Sequence, residues 1–358
     1  MGRKALVFLA LLALLLGASY LWLQRDGQPQ DDGREAWLPE LKGRAAQVAL
    51  IEVQVGNEPA VRLAREGDHW VLPAKEGYAA ASQPLADLLK ALLEAEKVEA
   101  RTANPQLHAR LGLAEEGETG ERASRVRIEF GGAAAADAEA AYAAAADAAA
   151  VDTSPGADAP GAGAPLDLRV GNPSSQGAGQ LVRRAGEEQV WLISRNIPLP
   201  ATELDWLDRR VTSIAFADVR ELDVRYANGE QITVYRDEQA QPNLKVRQLP
   251  KDRALPFEAA ANGMATLFAN LRLSDALPLA QLSFDREKPA LRFTLQTFDE
   301  GRLEGQVYRH GEEYWMTLPV REGLSAEQVP GREQWAFRIE TQHYQALAKR
   351  LPELLGEN

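Results

Sequence analysis

The chain has 358 residues, a formal net charge of −12, 45% hydrophobic and 26% charged side chains, and no cysteine. That length admits two domains of ordinary globular composition. The acidic balance excludes a general nucleic-acid binder, which phosphate would repel, and the lack of cysteine excludes disulfides, thiolate metal sites, thiol nucleophiles and an acylated lipoprotein N-terminus.

At the start, Arg3 and Lys4 precede an uncharged run from Ala5 to Leu23. As a helix this run would span about 28 Å, close to a hydrocarbon core of about 30 Å. The positive-inside rule keeps the cations in the cytoplasm, exports the rest, and places Tyr20 and Trp22 at the outer interface. Residues 1–23 are therefore expected as a single-pass transmembrane anchor in a bacterial inner membrane, with a periplasmic body. A cleaved signal peptide at Gly17, Ala18 and Ser19 is the alternative, and would leave the body soluble in the periplasm. Beyond residue 23 there remain 38 basic side chains (40 less Arg3 and Lys4) against 52 acidic ones, so the body should stand off from anionic lipid. Residues 24–44, which open with a polar Gly/Pro/Asp-rich stretch, read as a tether.

Next comes a pattern that recurs. "VALIEVQVGNEPAVRLARE" (48–66) overlies "VRELDVRYANGEQITVYRD" (219–237) at an offset of 171, and both alternate at period two around an Asn/Gly turn. Each is expected as a β-hairpin with one buried face. Leu85, Leu88, Leu89, Leu92 and Leu93 form a helical stripe, with Ser82 as candidate N-cap and Pro84 in the first turn. Phe257, Ala260, Ala261, Met264, Leu267, Phe268 and Leu271 form a similar stripe and predict a second amphipathic helix. "VRIEF" (126–130) is matched to "LRFTL" (291–295) at an offset of 165.

Residues 131–165 interrupt the strand pattern, with 14 alanines in 133–150 and a Pro/Gly/Ala/Asp-rich end. Asp137, Glu139 and Asp147 argue against a second membrane span. The segment reads as a loop extension, with a partner-binding segment that folds on contact as the alternative. After it, "GQLVRRAGEEQVWL" (179–192) echoes "GQVYRHGEEYWMTL" (305–318). The register that pairs 166–172 with 303–309 and 190–194 with 336–340 is preferred, because it gives both copies a last strand. Tyr344, Leu347, Leu351, Leu354 and Leu355 mark a terminal helix that Pro352 should kink or restart. The expected fold is α+β: the N-terminal transmembrane helix, then two related modules (45–215 and 216–358) of antiparallel strands, each with one main amphipathic helix.

No motif announces a reaction. His69, His108, His310 and His343 lie far apart, and no G-x-S-x-G, Walker loop or Rossmann glycine fingerprint is present. The acidic pairs Glu115–Glu116 and Glu187–Glu188 sit beside glycines and read as solvated turn charges. Trp37, Trp70, Trp191, Trp206, Trp315 and Trp335 fall among strand patterns, where core packing is the default and glycan stacking the alternative for one or two. No catalytic, cofactor-binding or metal residue is assigned, and an enzyme is not expected.

Three stretches carry a resemblance: "AWLPELKGRAAQVALIEV" (36–53), "KVEARTANPQLHARLGL" (97–113) and "WLDRR" (206–210). With their order along the chain, they resemble the bacterial DUF4340 family from about residue 36 onward; the alanine-rich insertion is a departure. The resemblance implies membrane anchoring and genes that accompany gliding-motility-type ABC transporter components, and carries no catalytic residues. The expected function is a non-enzymatic, membrane-anchored periplasmic accessory or scaffolding protein whose partners are integral membrane or transporter-complex proteins. A periplasmic module binding glycan or peptide from the cell wall is the alternative.

Overall fold

Period-two alternation drives one side of each hairpin into the interior and leaves the other to water. The computed structural model describes residues 34–131, 164–175, 177–282, 288–331 and 334–357. The expected anchor at 1–23 and nearly all of the insertion at 131–165 lie outside the described residues. Among the described residues no helix is long and apolar enough to cross a membrane.

The strands come in chain order as β1 (Val48–Gln54), β2 (Val61–Glu66), β3 (His69–Leu72), β4 (Tyr78–Ala79), β5 (Lys97–Ala100), β6 (Ser124–Phe130), β7 (Leu166–Pro173), β8 (Gln180–Arg184) and β9 (Trp191–Ile193). Then follow β10 (Arg210–Thr212), β11 (Val219–Tyr226), β12 (Gln231–Tyr235), β13 (Lys245–Val246), β14 (Leu271–Arg272) and β15 (Asp275–Pro278). The last are β16 (Leu291–Thr297), β17 (Arg302–His310), β18 (Glu313–Glu322) and β19 (Trp335–Ile339). Helices are few, and Ser82–Leu93 is the longest described. The protein is α+β, with antiparallel sheet dominant.

The chain divides into two compact units. One holds Leu89–Ala123, Leu168–Ile197 and the described part of Met1–Ala45; the other holds Ala46–Leu88 and the described parts of Ser124–Asp167 and Pro198–Asn358. In the first, β7, β8, β9 and β5 are successive antiparallel neighbours. In the second, β4-β3-β2-β1-β6 are successive neighbours, and a separate eight-stranded sheet runs β13-β12-β11-β16-β17-β18-β19-β15.

Pairings recur between the two halves of the sequence. The pairs β1·β2, β1·β6, β7·β8, β8·β9 and β5·β9 have counterparts in β11·β12, β11·β16, β17·β18, β18·β19 and β15·β19. Registers recur too. Val53 faces Val61 and Val126, while Val224, 171 positions on, faces Ile232 and Phe293. A register shift between Val48 and Leu50 reappears between Val219 and Glu221, again 171 positions on. The same facing residues make Val126 equivalent to Phe293, an offset of 167 rather than the expected 165. A slip of two residues preserves the inward and outward faces of a strand, so alternation alone cannot detect it.

The first amphipathic helix forms as expected, with Leu85, Leu88 and Leu92 buried. The second does not. Residues of the 257–271 stripe form only a turn of α-helix at Gly263–Thr266 and a 3₁₀ turn at Leu267–Ala269, and Phe257 is 64% exposed. Asn262 decides this locally: its Oδ1 accepts from Leu244 N at 2.9 Å and its Nδ2 donates to Asn243 Oδ1 at 2.9 Å. Those bonds tie the residue to the preceding loop, and Gly263 after it is a poor helix former. Phe268 still reaches the core against Phe293, ring centroids 5.1 Å apart. At the C-terminus, Thr341–Leu347 and Leu351–Leu354 are separate helices, the latter with Pro352 in its first turn. Within the span expected as tether, Trp37, Leu38 and Leu41 are buried and Pro39–Arg44 is helical.

Candidate functional site

Of the stretches that carry the resemblance, 97–113 lies in the first unit and is built for folding. Thr102 Oγ1 accepts from Asn104 N at 3.1 Å, and Asn104 Oδ1 accepts from Gln106 N at 3.1 Å, which caps the 3₁₀ turn Pro105–Leu107. Gly112 then takes φ 67°, a left-handed stop that favours glycine. A side chain there would also collide with Asn172, whose Oδ1 stands 2.6 Å from the position of a Cβ. The turn drops Leu113 into a core with Ala123 and Val190.

Behind that turn sits an ionic cluster that sequence reasoning missed. Arg169 and Arg183, each with a side chain 6% exposed, both reach Glu115. Arg169 Nε donates to Glu115 Oε2 at 2.8 Å and Arg183 Nη2 to Oε1 at 2.5 Å. Arg183 also donates to the carbonyls of Leu113 and Glu187. Burial alone would raise the Glu115 carboxyl, but the two guanidiniums outweigh it and hold it below the ordinary range. Glu115 is thus a structural anchor rather than a solvated turn charge. The clue in the sequence was an arginine inside each of two strand patterns with buried apolar neighbours, Arg169 in β7 and Arg183 in β8.

The other residues weighed for chemistry are scattered. His69 and His310 are exposed at strand ends. His108 is buried with Nε2 3.1 Å from the Glu188 carbonyl. His343 lies in the Thr341–Leu347 helix. Trp37, Trp206, Trp315 and Trp335 are core residues. Trp70 and Trp191 are half-buried, and the Lys97 ammonium sits 4.8 Å over the Trp191 ring. A depression of about 700 Å³ in the first unit is lined by Lys42, Leu93, Glu94, Glu96 and Arg195. Two of its lining residues, Glu94 and Arg195, form an ion pair at 2.7 Å.

In the second unit, the outward face of the eight-stranded sheet bears a furrow of about 300 Å³. Its walls come from β11, β16 and β17, with Pro319 of β18 at the rim. Leu222, Val224, Phe293 and Leu303 point into the core, so the intervening Asp223, Arg225, Arg292 and Arg302 stand outward. A further register shift between Glu304 and Gln306 lies at the furrow. Gly305 forms its floor, because the Phe293 ring fills the place a Cβ would take, with Cζ 2.2 Å from it. This furrow is the described surface where unused charge and concavity coincide.

A family model described as Domain of unknown function (DUF4340) matches residues 70–291. No curated protein and no solved structure matches the chain.

Proposed function

We propose, for a chain that belongs to the DUF4340 family, a non-enzymatic role as a membrane-anchored accessory or scaffolding protein of a transport or envelope complex. The anchor is the uncharged run Ala5–Leu23 behind Arg3 and Lys4, held in the inner membrane with the body in the periplasm. The body is two related modules, the second without a main helix. The observation that carries this reading is the repeated sheet: the same pairings recur, and the register shift at Val48–Leu50 returns 171 residues on at Val219–Glu221. A duplicated antiparallel sheet, polar on its outer face, offers broad rigid surface for protein contacts, and ABC-type membrane components are the expected partners. The test is affinity purification of the tagged full chain from detergent-solubilised membranes after cross-linking. Recovery of a stoichiometric integral membrane partner is the expected result. Fractionation of the chain as a soluble protein with no partner would overturn it. Binding of cell-wall glycan or peptide is the weaker reading, since four of the six tryptophans among the described residues are packed in the core.

A further inference from the structure

The outward face of the eight-stranded sheet carries a charge that its own strands do not neutralise. Arg225 on β11 lies directly opposite Arg292 on β16, a like-charge cross-strand pair that ordinarily costs stability. Arg225 has a partner, Asp223, whose Oδ1 accepts from its Nε at 3.1 Å. Asp223 is further engaged by Gln231 and by the Thr233 hydroxyl. Arg302 on β17 pairs with Glu304. Arg292, exposed beside them, has no carboxylate partner among the described residues.

The corresponding face in the first half differs at this point. There Arg62 pairs with Glu52 at 2.5 Å, Arg127 with Glu129 at 2.9 Å and Arg125 with Asp167 at 3.6 Å. Arg125 faces Gln54, and these are the positions equivalent to Arg292 and Arg225 by the offsets of 167 and 171. One copy of the face is balanced, and the other is left with a spare guanidinium over a furrow.

The acids of the furrow are also the less exposed groups. Asp223 and Glu304 side chains are 17% and 31% exposed, against 69% and 46% for Arg225 and Arg302. The surface therefore presents cations, on a chain whose net charge is −12. Around Arg292 stand two groups suited to a peptide backbone. Gln306 lies directly opposite and already accepts from the Tyr308 hydroxyl at 2.6 Å, which leaves its amide NH₂ as donor. Thr294 is two residues along on the same face.

We infer that this furrow docks an acidic, extended segment of a partner protein, with Arg292 taking a carboxylate in bidentate fashion. A lipid headgroup fits less well: an acidic body is held off an anionic membrane surface, and the furrow is a bounded slot rather than a broad basic field. The inference rests on the accessory reading only for who supplies the segment. Its test is independent of any partner's recovery.

The test uses the purified full chain in detergent and a fluorescein-labelled hexaglutamate peptide, followed by anisotropy. Saturable binding is expected, weakening with added salt, at least tenfold weaker in Arg292→Gln and intermediate in Arg292→Lys, which keeps the charge but loses the bidentate fork. Removing the like-charge pair should leave the melting temperature of Arg292→Gln at or above that of wild type. Lost binding in that variant is then not lost folding. Absent binding, or equal binding by wild type and Arg292→Gln, would overturn the inference. So would binding confined to phosphatidylglycerol vesicles, or hexaglutamate binding only after deletion of the chain's own acidic stretch 133–163.

Discussion

Glu115 shows how much one half-exposed carboxylate can hold. Two guanidiniums, each with a side chain only 6% exposed, converge on it, and without it both would lose this carboxylate. Because the Glu115 side chain is 52% exposed, solvent screening discounts the loss, and Glu115→Gln should cost about 1–2 kcal/mol rather than the several of a fully buried pair. The pH dependence has a definite sign. The native carboxyl is held below its ordinary value, so its contribution is complete above the unfolded pKa of about 4.3 and fades as pH falls through the lower native value. Urea midpoints of wild type and variant should therefore differ most near neutrality and converge in acid. A difference that persisted unchanged to pH 3 would show the role to be packing alone. At the same scale, the echoed glycines explain themselves. Gly179 adopts φ 118° with the Ile193 carbonyl 2.3 Å from where a Cβ would sit, whereas Gly305 yields to the Phe293 ring. Gly179 leads into β8 and Gly305 lies within β17, whose counterpart is β7, so the repeated line is coincidence and the preferred register agrees with the pairings.

Elements were legible where one period ruled. The two hairpins, the helix Ser82–Leu93 and the break before Leu351 follow from alternation, a leucine stripe and a proline. The Phe257–Leu271 stripe misled because periodicity counts only apolar residues and ignores what a polar one is bonded to. Asn262 binds Leu244 N and Asn243 from within that stripe, and Phe257 is left in solvent. Asn262→Ala should thus cost about 1–2 kcal/mol through the unsatisfied Leu244 amide, in chemical denaturation. Far-UV circular dichroism should show helix content unchanged or slightly higher, since alanine is the better helix former. Loss of helix without loss of stability would refute this account of the stripe. The spare cation at Arg292 was hidden for a related reason. Net charge sums over the chain, while the furrow depends on a cross-strand register two residues away from the one the pattern suggested.

At the scale of the whole molecule, Ala46–Leu88 and Pro198–Asn358 belong to one compact unit, and the contacts between them are specific. Tyr78 meets Trp335 edge-on with ring centroids 4.9 Å apart. Ala81 N donates to the Trp206 carbonyl at 2.7 Å and Asp208 N to the Ala79 carbonyl at 3.0 Å. Lys75 Nζ lies 2.8 Å from Asp275 and 3.6 Å from Glu203. Burial alone would lower the Lys75 ammonium, but Asp275 and Glu203 prevail and raise it, so this bridge is complete below about pH 10.4 and lost as pH climbs through the native value. Parts of the chain more than 100 residues apart are therefore joined by an aromatic contact, backbone bonds and an ion pair, which makes their opening cooperative. Tyr78 is 3% exposed, so Tyr78→Ala should cost about 3–4 kcal/mol. In hydrogen exchange, the protection of β3 and β4 should fall together with that of β15 and β19, because β19 carries Trp335 and pairs with β15. If only β3 and β4 became labile, the two halves of the sequence would be independent folding units that merely touch, and a rigid duplicated scaffold would lose its physical basis.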